Sequence, residues 1–185
     1  AKEHPEELLE SGPAGGVAYA SYLADETREP NIICADMGGT SFDASIVEDG
    51  KGLVTREYEL EFELPIILPM LDIHSVGAGG GSIGWVDTGG SLRVGPRSAG
   101  ANPGPACYGR GGTEPTVTDA YLVLGYLVAD RFLGGRMTLS LDAAQEAIQV
   151  HIATKLELSV IDAARGIVNV VNEYMASGIL QMTVR

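Results

Sequence analysis

Residues 31–45 read NIICADMGGTSFDAS: an apolar run, an aspartate, two glycines, two hydroxyl residues and the beginning of a second run. The apolar residues before and after the turn predict two strands, and the first of them reads as buried. Gly38 and Gly39 permit unusual backbone conformations and let a ligand approach the amides closely. The stretch therefore predicts a strand, a tight glycine turn and a second strand, with polar groups gathered at the turn.

These polar groups have two interpretations. In the first, the amides and the hydroxyls of Thr40 and Ser41 hold phosphate oxygens, and Asp36 holds a magnesium ion through water. In the second, the turn is a plain hairpin in which Asp36 and Thr40 hydrogen-bond to their own backbone. A P-loop is excluded, because this turn leads into a strand and carries no GKS or GKT lysine.

Composition limits the class of protein. The 185 residues suffice for one domain with a hydrophobic core, or for part of a larger one. The 25 acidic and 12 basic residues give a net charge of −13, which argues against binding nucleic acid. No apolar run reaches the roughly 18 residues of a membrane span, and the opening residues do not resemble an export leader. With two cysteines outside any CxxC spacing, we expect a cytoplasmic protein with reduced thiols, although a disulfide stays open.

The pattern along the chain predicts strands first and helices later. A helix is expected over 11–24, and the DGKG sequence at 49–52 predicts a hairpin followed by a half-exposed third strand over 53–65. Two strands should run through Trp85 and Val94, with an irregular loop after them. Helices follow at 116–128, 142–156 and 159–184. This order fits an α/β layered domain.

Two further groups are candidates for chemistry. Asp72 and His74 would face the same side of a strand, where they could converge on a metal or on a substrate carbonyl. The alternative is a histidine hydrogen-bonded to Asp72 or to a neighbouring carbonyl. Gly79, Gly80 and Gly81 could line an amide pocket for an anion, or they could mark a close crossing of two backbone segments.

Three side chains of the long loop and of the helix after it carry weaker signals. Arg97 could pair with a substrate carboxylate or phosphate, although most loop arginines are simply solvated. Cys107 has no histidine near it in sequence that would activate it, so we interpret it as structural or as a pocket wall. Asp119 lies near a predicted helix start, where a carboxylate suits the helix dipole without any catalytic role.

Three stretches together resemble a known family. They are SGPAGGV at 11–17, DMGGTSFDASIV at 36–47, and nearly all of 72–127. They are similar to hydantoinase A and 5-oxoprolinase, a family that includes subunits of acetone-type carboxylases. The resemblance implies an α/β, actin-like ATPase (ribonuclease H-like) fold with a mixed sheet and helices. Residues 1–185 would be a single central segment of that ATP-binding domain, with the first phosphate loop before residue 1 and the adenine-binding turn after Arg185.

The resemblance also implies an activity. The chain would be part of a subunit that uses ATP and Mg²⁺ to activate and hydrolyse a cyclic amide of the hydantoin or 5-oxoproline type, through a phosphorylated intermediate. The alternatives are an acetone-type carboxylase subunit and a non-catalytic assembly module. A B-type partner subunit and a homo-oligomer are implied as well.

Most of the site residues follow from the same resemblance. It implies catalytic roles for Asp36, Asp72 and His74, with Asp36 also the metal ligand, and nucleotide binding by Gly38, Gly39, Thr40, Ser41 and Asp43. From the residue patterns given above, and not from the resemblance, we expect Gly79, Gly80, Gly81 and Arg97 to contact the substrate.

Overall fold

A computed structural model describes residues 11–55, 58–60, 64–66 and 70–184. The chain divides into two compact units. The first contains the described residues up to Asp36, those between 43 and 75, and those from Ser177 onward. The second contains Met37–Phe42 and Val76–Ala176. Helices and antiparallel strand pairs occur together, so the α/β class is confirmed.

The first half of the chain holds one helix and eight strands among the described residues. They are α1 (Ser11–Thr27), β1 (Ile32–Met37), β2 (Phe42–Glu48), β3 (Lys51–Gly52), β4 (Val54–Thr55), β5 (Tyr58–Leu60), β6 (Leu64–Ile66), β7 (Met70–Leu71) and β8 (Ile73–Val76). Strand β2 pairs with β1, β3 and β8, and is therefore the centre of the sheet.

The core of the first unit lies between α1 and the sheet. Val17, Ala20 and Ala24 occupy one face of α1 and are buried with Val47 of β2. Strand β1 is not the buried strand that its apolar sequence predicted, because Ile33 is 52% exposed. Its burial alternates, since only one of its faces packs on this core.

The DGKG hairpin is confirmed. Asp49 and Gly50 have φ values of 49° and 75°, the two positive angles that a type I′ turn requires, and Glu48 pairs with Lys51. The single third strand over 53–65 is wrong. The chain forms β4, β5 and β6 instead, with β4 paired to β7 and β5 paired to β6. Strands β5 and β6 run antiparallel, and their backbone groups pair with each other. Residues 56–57 and 61–63 lie outside the described residues.

The second unit begins with a hairpin and continues with helices. The predicted strands through Trp85 and Val94 are β9 (Ser82–Val86) and β10 (Leu92–Ser98), which pair antiparallel. An irregular loop follows, as predicted, with a 3₁₀ turn at Ala106–Tyr108. The helices are α2 (Val117–Val123), α3 (Leu141–Ile148), α4 (Thr154–Leu156) and α5 (Val160–Thr183), with a π-helical turn at Gln149–Ala153 between α3 and α4. The residues of α5 from Ser177 onward belong to the first unit.

The three predicted helices therefore exist, although two of them differ in extent. Helix α2 ends early, because Gly125 follows it with a φ of 77°. The segment 142–156 contains the π-helical turn, within which Ile152 is fully buried. Gly84 of β9 packs tightly there, since a Cβ on it would lie 3.0 Å from Cδ1 of Ile152. Within the described part of the chain, no helix combines the length and apolar character that crossing a membrane requires.

Candidate functional site

The loop over residues 38–41, here called the GGTS loop, offers free backbone donors. The amide of Gly38 donates to the carbonyl of Ser41 at 2.8 Å and closes the turn. The amides of Gly39, Thr40 and Ser41 donate to no acceptor among the described residues. Gly38, Gly39 and Thr40 are exposed, and Ser41 is half-buried. Three successive N–H groups and two hydroxyls are therefore available to an anion.

The plain hairpin interpretation expected side-chain hydrogen bonds within this turn. Neither Asp36 nor Thr40 makes one to the described backbone of the turn, which a backbone hydrogen bond closes instead. Asp36 is exposed and lies at the end of the first unit, where its Oδ2 would be 3.9 Å from a Cβ placed on Gly16 of α1. The carboxylate is therefore open to solvent and to a ligand.

A second glycine segment, residues 79–82, is here called the GGGS turn, and it hydrogen-bonds to the GGTS loop. The amide of Gly80 donates to the carbonyl of Gly38 at 2.9 Å, and the amide of Gly81 donates to the carbonyl of Gly39 at 2.6 Å. These bonds use the carbonyls of the GGTS loop and leave its amides free. The two segments, which lie 42 residues apart in sequence, are thus joined through their backbones.

The same contact explains why the supporting residues are glycines. A Cβ on Gly79 would lie 2.5 Å from the amide nitrogen of Thr40 and 2.6 Å from the carbonyl oxygen of Gly39. The amide of Gly79 itself donates to Oγ of Ser82 at 3.0 Å. All three glycine amides are therefore engaged inside the protein. Of the two interpretations of this segment, the close backbone crossing accounts for the glycines, and a substrate contact there would have to use other atoms.

Helix α2 anchors the GGGS turn in its place. The carbonyl of Gly80 accepts from both the amide and the hydroxyl of Thr118, each at 2.8 Å. Asp119 is fully buried and accepts from the amide and hydroxyl of Thr116 at 2.8 Å and from the amide of Cys107 at 2.7 Å. Thr116 caps α2 in return. The helix-start interpretation of Asp119 is confirmed, and its side chain is fully engaged within the protein.

The candidate pair Asp72 and His74 does not lie on one strand. Strand β7 ends at Leu71 and β8 begins at Ile73, so Asp72 falls between them, and its amide donates to the carbonyl of Leu53 at 2.8 Å. His74 lies within β8 and is half-buried. The strand periodicity that would have turned both side chains to one face therefore does not apply, and their joint role at a substrate stays a proposal.

Asp43 is half-buried in β2, where its Oδ1 accepts a short hydrogen bond from the hydroxyl of Ser75. Arg97 forms a two-pronged ion pair with Glu114, with nitrogen to oxygen distances of 3.0 and 3.4 Å. Both of these side chains are substantially exposed, so the pair contributes about 1 kcal/mol at most and can open. A substrate carboxylate at Arg97 would compete with Glu114.

Cys107 is fully buried, and desolvation raises the pKa of its thiol, an effect that the nearby Asp119 strengthens. A thiol that stays protonated is a poor nucleophile. This agrees with the structural interpretation of the residue. Among the residues that the structure describes, no three His, Cys, Asp or Glu side chains gather into a metal-binding cluster.

Sequence reasoning missed an aromatic cavity beside the GGTS loop. Tyr108, Tyr121 and Phe132 line it together with Gly38 and Gly39. The three rings come from a 3₁₀ turn, from α2 and from a later turn, at spacings that match neither helix nor strand periodicity. No sequence signal would have grouped them.

These features agree with the outcome of comparison with known proteins. The chain belongs to the Hydantoinase/oxoprolinase family, whose sequence model matches residues 1–185. The family resemblance of the three glycine-containing stretches is thereby confirmed.

One relative and two solved structures illustrate the similarity. The chain is 45% identical to the caprolactamase subunit alpha of Pseudomonas jessenii over 183 residues, which is 99% of this chain and 26% of that protein. It matches the crystal structure of ATP-dependent caprolactamase from the same organism with a TM-score of 0.82 and 47% identity, covering 93% of this chain and 25% of that one. A nucleotide-free acetone carboxylase structure, from work on ATP-dependent acetone carboxylation, matches with a TM-score of 0.85 and 37% identity, covering 93% and 24%. The chain thus spans about a quarter of the length of these relatives.

Proposed function

We propose that this chain is the central, phosphate-binding part of a subunit that uses ATP to activate and hydrolyse a cyclic amide of the hydantoin or 5-oxoproline type. The observation that carries the proposal is the GGTS loop, with three free amides held in place by the GGGS turn. The similarity to an ATP-dependent caprolactamase supports the same activity. We also propose an actin-like fold for the whole ATP-binding domain, a B-type partner subunit, homo-oligomerisation and a cytoplasmic location.

The residues present fit ATP and Mg²⁺. Amide and hydroxyl groups of Gly39, Thr40 and Ser41 are donors for phosphate oxygens, and such a cradle needs no lysine or arginine. This suits a chain whose net charge is −13. Mg²⁺ commonly binds through one or two carboxylates together with phosphates and water, so the single exposed carboxylate of Asp36 suffices as its protein ligand.

The chain's own residues would then perform three tasks. ATP, when bound with Mg²⁺, supplies the phosphoryl group that makes the amide carbonyl attackable. The GGTS loop orients the terminal phosphates, and Asp36 positions the metal. Asp43 would add a second carboxylate for nucleotide binding. It lies in β2, the strand that follows the GGTS loop, and the hydroxyl of Ser75 donates to it.

The substrate side of the site is assigned to the remaining candidates. His74 would exchange a proton with the amide at an imidazole nitrogen, and Asp72 would support it. Arg97, after release from Glu114, would hold a substrate carboxylate such as that of 5-oxoproline. The backbone of Gly79, Gly80 and Gly81 would contribute by shaping the floor of the site.

Carboxylation of a ketone is a second candidate, because the acetone carboxylase structure matches this chain with a TM-score of 0.85. The two activities share the same proposed ATP site and differ in the substrate. ATP turnover stimulated by acetone and bicarbonate, but by neither hydantoins nor 5-oxoproline, would select the carboxylase.

Asp36→Asn in the complete subunit, assayed with its partner subunit, tests the proposal. We expect ATP turnover to fall by about a hundredfold, as removal of a group that stabilises transition-state charge does, while the circular dichroism spectrum stays that of wild type. Asp25→Asn is the matched control, because Asp25 is an exposed aspartate of α1 in the same unit. Equal ATP turnover in both variants would remove Asp36 from the mechanism.

A further inference from the structure

The aromatic cavity beside the GGTS loop has the size of a small-molecule site. Its volume is about 440 Å³, within the roughly 300 to 1,000 Å³ of typical ligand pockets. Gly38 and Gly39 form one margin, and Tyr108, Tyr121 and Phe132 form the wall. All of these residues belong to the second unit. A ligand in the cavity would therefore touch the loop that we assign to the terminal phosphates.

The wall of the cavity is held by a packed core. The rings of Tyr108 and Phe132 lie 5.7 Å apart between centroids, and both pack on the buried cluster that contains Cys107 and Leu122. Tyr121 projects from α2, whose first turn is fixed by Asp119. The cavity is thus formed before any ligand arrives, which lowers the entropic cost of binding.

The polar groups of the wall have hydrogen-bonding capacity left. The hydroxyl of Tyr108 makes no hydrogen bond within the described part of the chain. The hydroxyl of Tyr121 donates only to the sulfur of Met37 at 3.9 Å, and a thioether is a weak acceptor. Burial raises the pKa of both phenols, so each keeps its proton at neutral pH and remains a donor.

This lining suits a compact ring with one polar edge. Apolar ring atoms can pack against Phe132 and the tyrosine faces, and a carbonyl can accept from a phenol. Phosphate groups carry charge and gain little from contact with aromatic rings. The adenine of ATP is separated from its terminal phosphate by the ribose and two further phosphates, whereas the group that receives the phosphoryl must meet that terminal phosphate. The position next to Gly38 and Gly39 therefore favours the acceptor over the nucleotide base.

We propose that the aromatic cavity holds the ring of the cyclic amide and that Tyr121 and Phe132 set which ring sizes are accepted. This inference rests on the proposed function, because it assigns the substrate site of that activity. It concerns a different group of residues from Asp36, His74 and Arg97.

The test uses the complete subunit with its partner subunit and three cyclic amides: hydantoin, 5-oxoproline and the seven-membered ε-caprolactam. Phe132→Ala enlarges the cavity, and Tyr121→Phe removes only a hydroxyl and keeps the packing. Tyr22→Ala is the matched control, since this tyrosine is 57% exposed on α1 in the other unit. KM for each amide and for ATP is measured, and amide binding without ATP is measured by calorimetry.

We expect Phe132→Ala to raise KM for the five-membered rings by about tenfold and to shift the preference toward the larger ring. Tyr121→Phe should raise KM for the preferred amide by about three- to tenfold through the lost hydrogen bond. Both variants should weaken amide binding in calorimetry and leave KM for ATP unchanged, and Tyr22→Ala should behave as wild type.

Three results would overturn the inference, and they are distinguishable. If the wild-type enzyme shows no ATP turnover with any cyclic amide, the proposed function fails and the inference falls with it. If the wild type is active but Phe132→Ala and Tyr121→Phe keep its KM values and its ring preference, the inference alone is wrong. If KM rises for ATP and not for the amides, the cavity holds part of the nucleotide.

Discussion

Replacing Gly79 by alanine should destabilise the second unit, because the new Cβ would meet main-chain atoms of the GGTS loop. It would lie 2.5 Å from the nitrogen of Thr40 and 2.6 Å from the carbonyl carbon and oxygen of Gly39. Main-chain atoms cannot rotate aside, so one loop must move. Overpacking costs about 1 to 3 kcal/mol. Losing the two amide bonds from Gly80 and Gly81 would add about 0.5 to 1.5 kcal/mol each. We expect a total of about 2 to 6 kcal/mol.

Gly77→Ala provides the matched comparison. A Cβ on Gly77 meets no atom of the described chain within 4 Å, and its φ is outside the left-handed region. The free energy of unfolding should therefore change by less than about 0.5 kcal/mol. Urea denaturation followed by circular dichroism measures both variants, and calorimetry measures ATP binding at a temperature where both are folded. Gly79→Ala should also weaken ATP binding, because it displaces the amides of Gly39 and Thr40.

Two outcomes would refute this reasoning. Equal urea midpoints for Gly79→Ala and Gly77→Ala would show that the two glycine segments do not cross as closely as the distances state. A destabilised Gly79→Ala that binds ATP with wild-type affinity would show that the displaced loop does not hold the phosphates. The second result would count against the proposed function, whereas the first concerns only the packing.

Three further predictions concern single residues. Gly39→Ala should keep the wild-type stability, since the new Cβ would meet no described atom within 4 Å. If phosphate approaches the loop closely, the same Cβ should weaken ATP binding, measured by calorimetry, by about tenfold or more. Asp119→Asn should lower the free energy of unfolding, measured by urea denaturation, by about 2 to 4 kcal/mol. The reason is that a side-chain amide cannot accept from all the donors that face this carboxylate. A change below about 0.5 kcal/mol would contradict this prediction. Cys107 should resist iodoacetamide at pH 8 while the half-exposed Cys34 is labelled, because burial raises the pKa of the Cys107 thiol. Mass spectrometry that finds equal labelling of the two cysteines would contradict the burial of Cys107.

Local chemistry made part of this fold predictable. The hairpin at Asp49 and Gly50 follows from turn residues that tolerate positive φ, and the helix after Thr116 follows from its cap. Strand β1 was predicted as buried because apolar residues were read without knowing its neighbours. Ile33 shows that a β strand can be apolar on both faces while only one face packs on a core formed by the described residues. Such a difference depends on tertiary contacts, which periodicity does not contain.

The candidate site, like the fold, was predictable where local sequence determines the structure and was not where tertiary contacts do. The tight turn of the GGTS loop between two strands was predictable, since two glycines between apolar runs favour such a turn, whereas phosphate binding by this loop stays a prediction. For Gly79, Gly80 and Gly81 the sequence left two interpretations open, because an anion pocket and a backbone crossing require the same residue type. Only the acceptors of their amides separate the two interpretations, and the acceptors of Gly80 and Gly81 lie about 40 residues away in sequence. The aromatic cavity was not predictable, for it joins three segments without a shared period.

The supports of the GGTS loop explain how an acidic chain can hold an anion. The loop carbonyls are bound by Gly80 and Gly81, the GGGS turn is bound by Thr118, and the start of α2 is bound by the buried Asp119. Each link fixes part of the backbone, so the free amides of the loop are held in place without the reorganisation that water or a flexible lysine would require. The carboxylate of Asp119 accepts hydrogen bonds from donors inside the protein, so it holds the start of α2 in place and is not assigned to ligand binding. In the proposed nucleotide site, the attraction for phosphate would come from fixed dipoles and from a metal ion held by Asp36, so a net charge of −13 is compatible with that proposal.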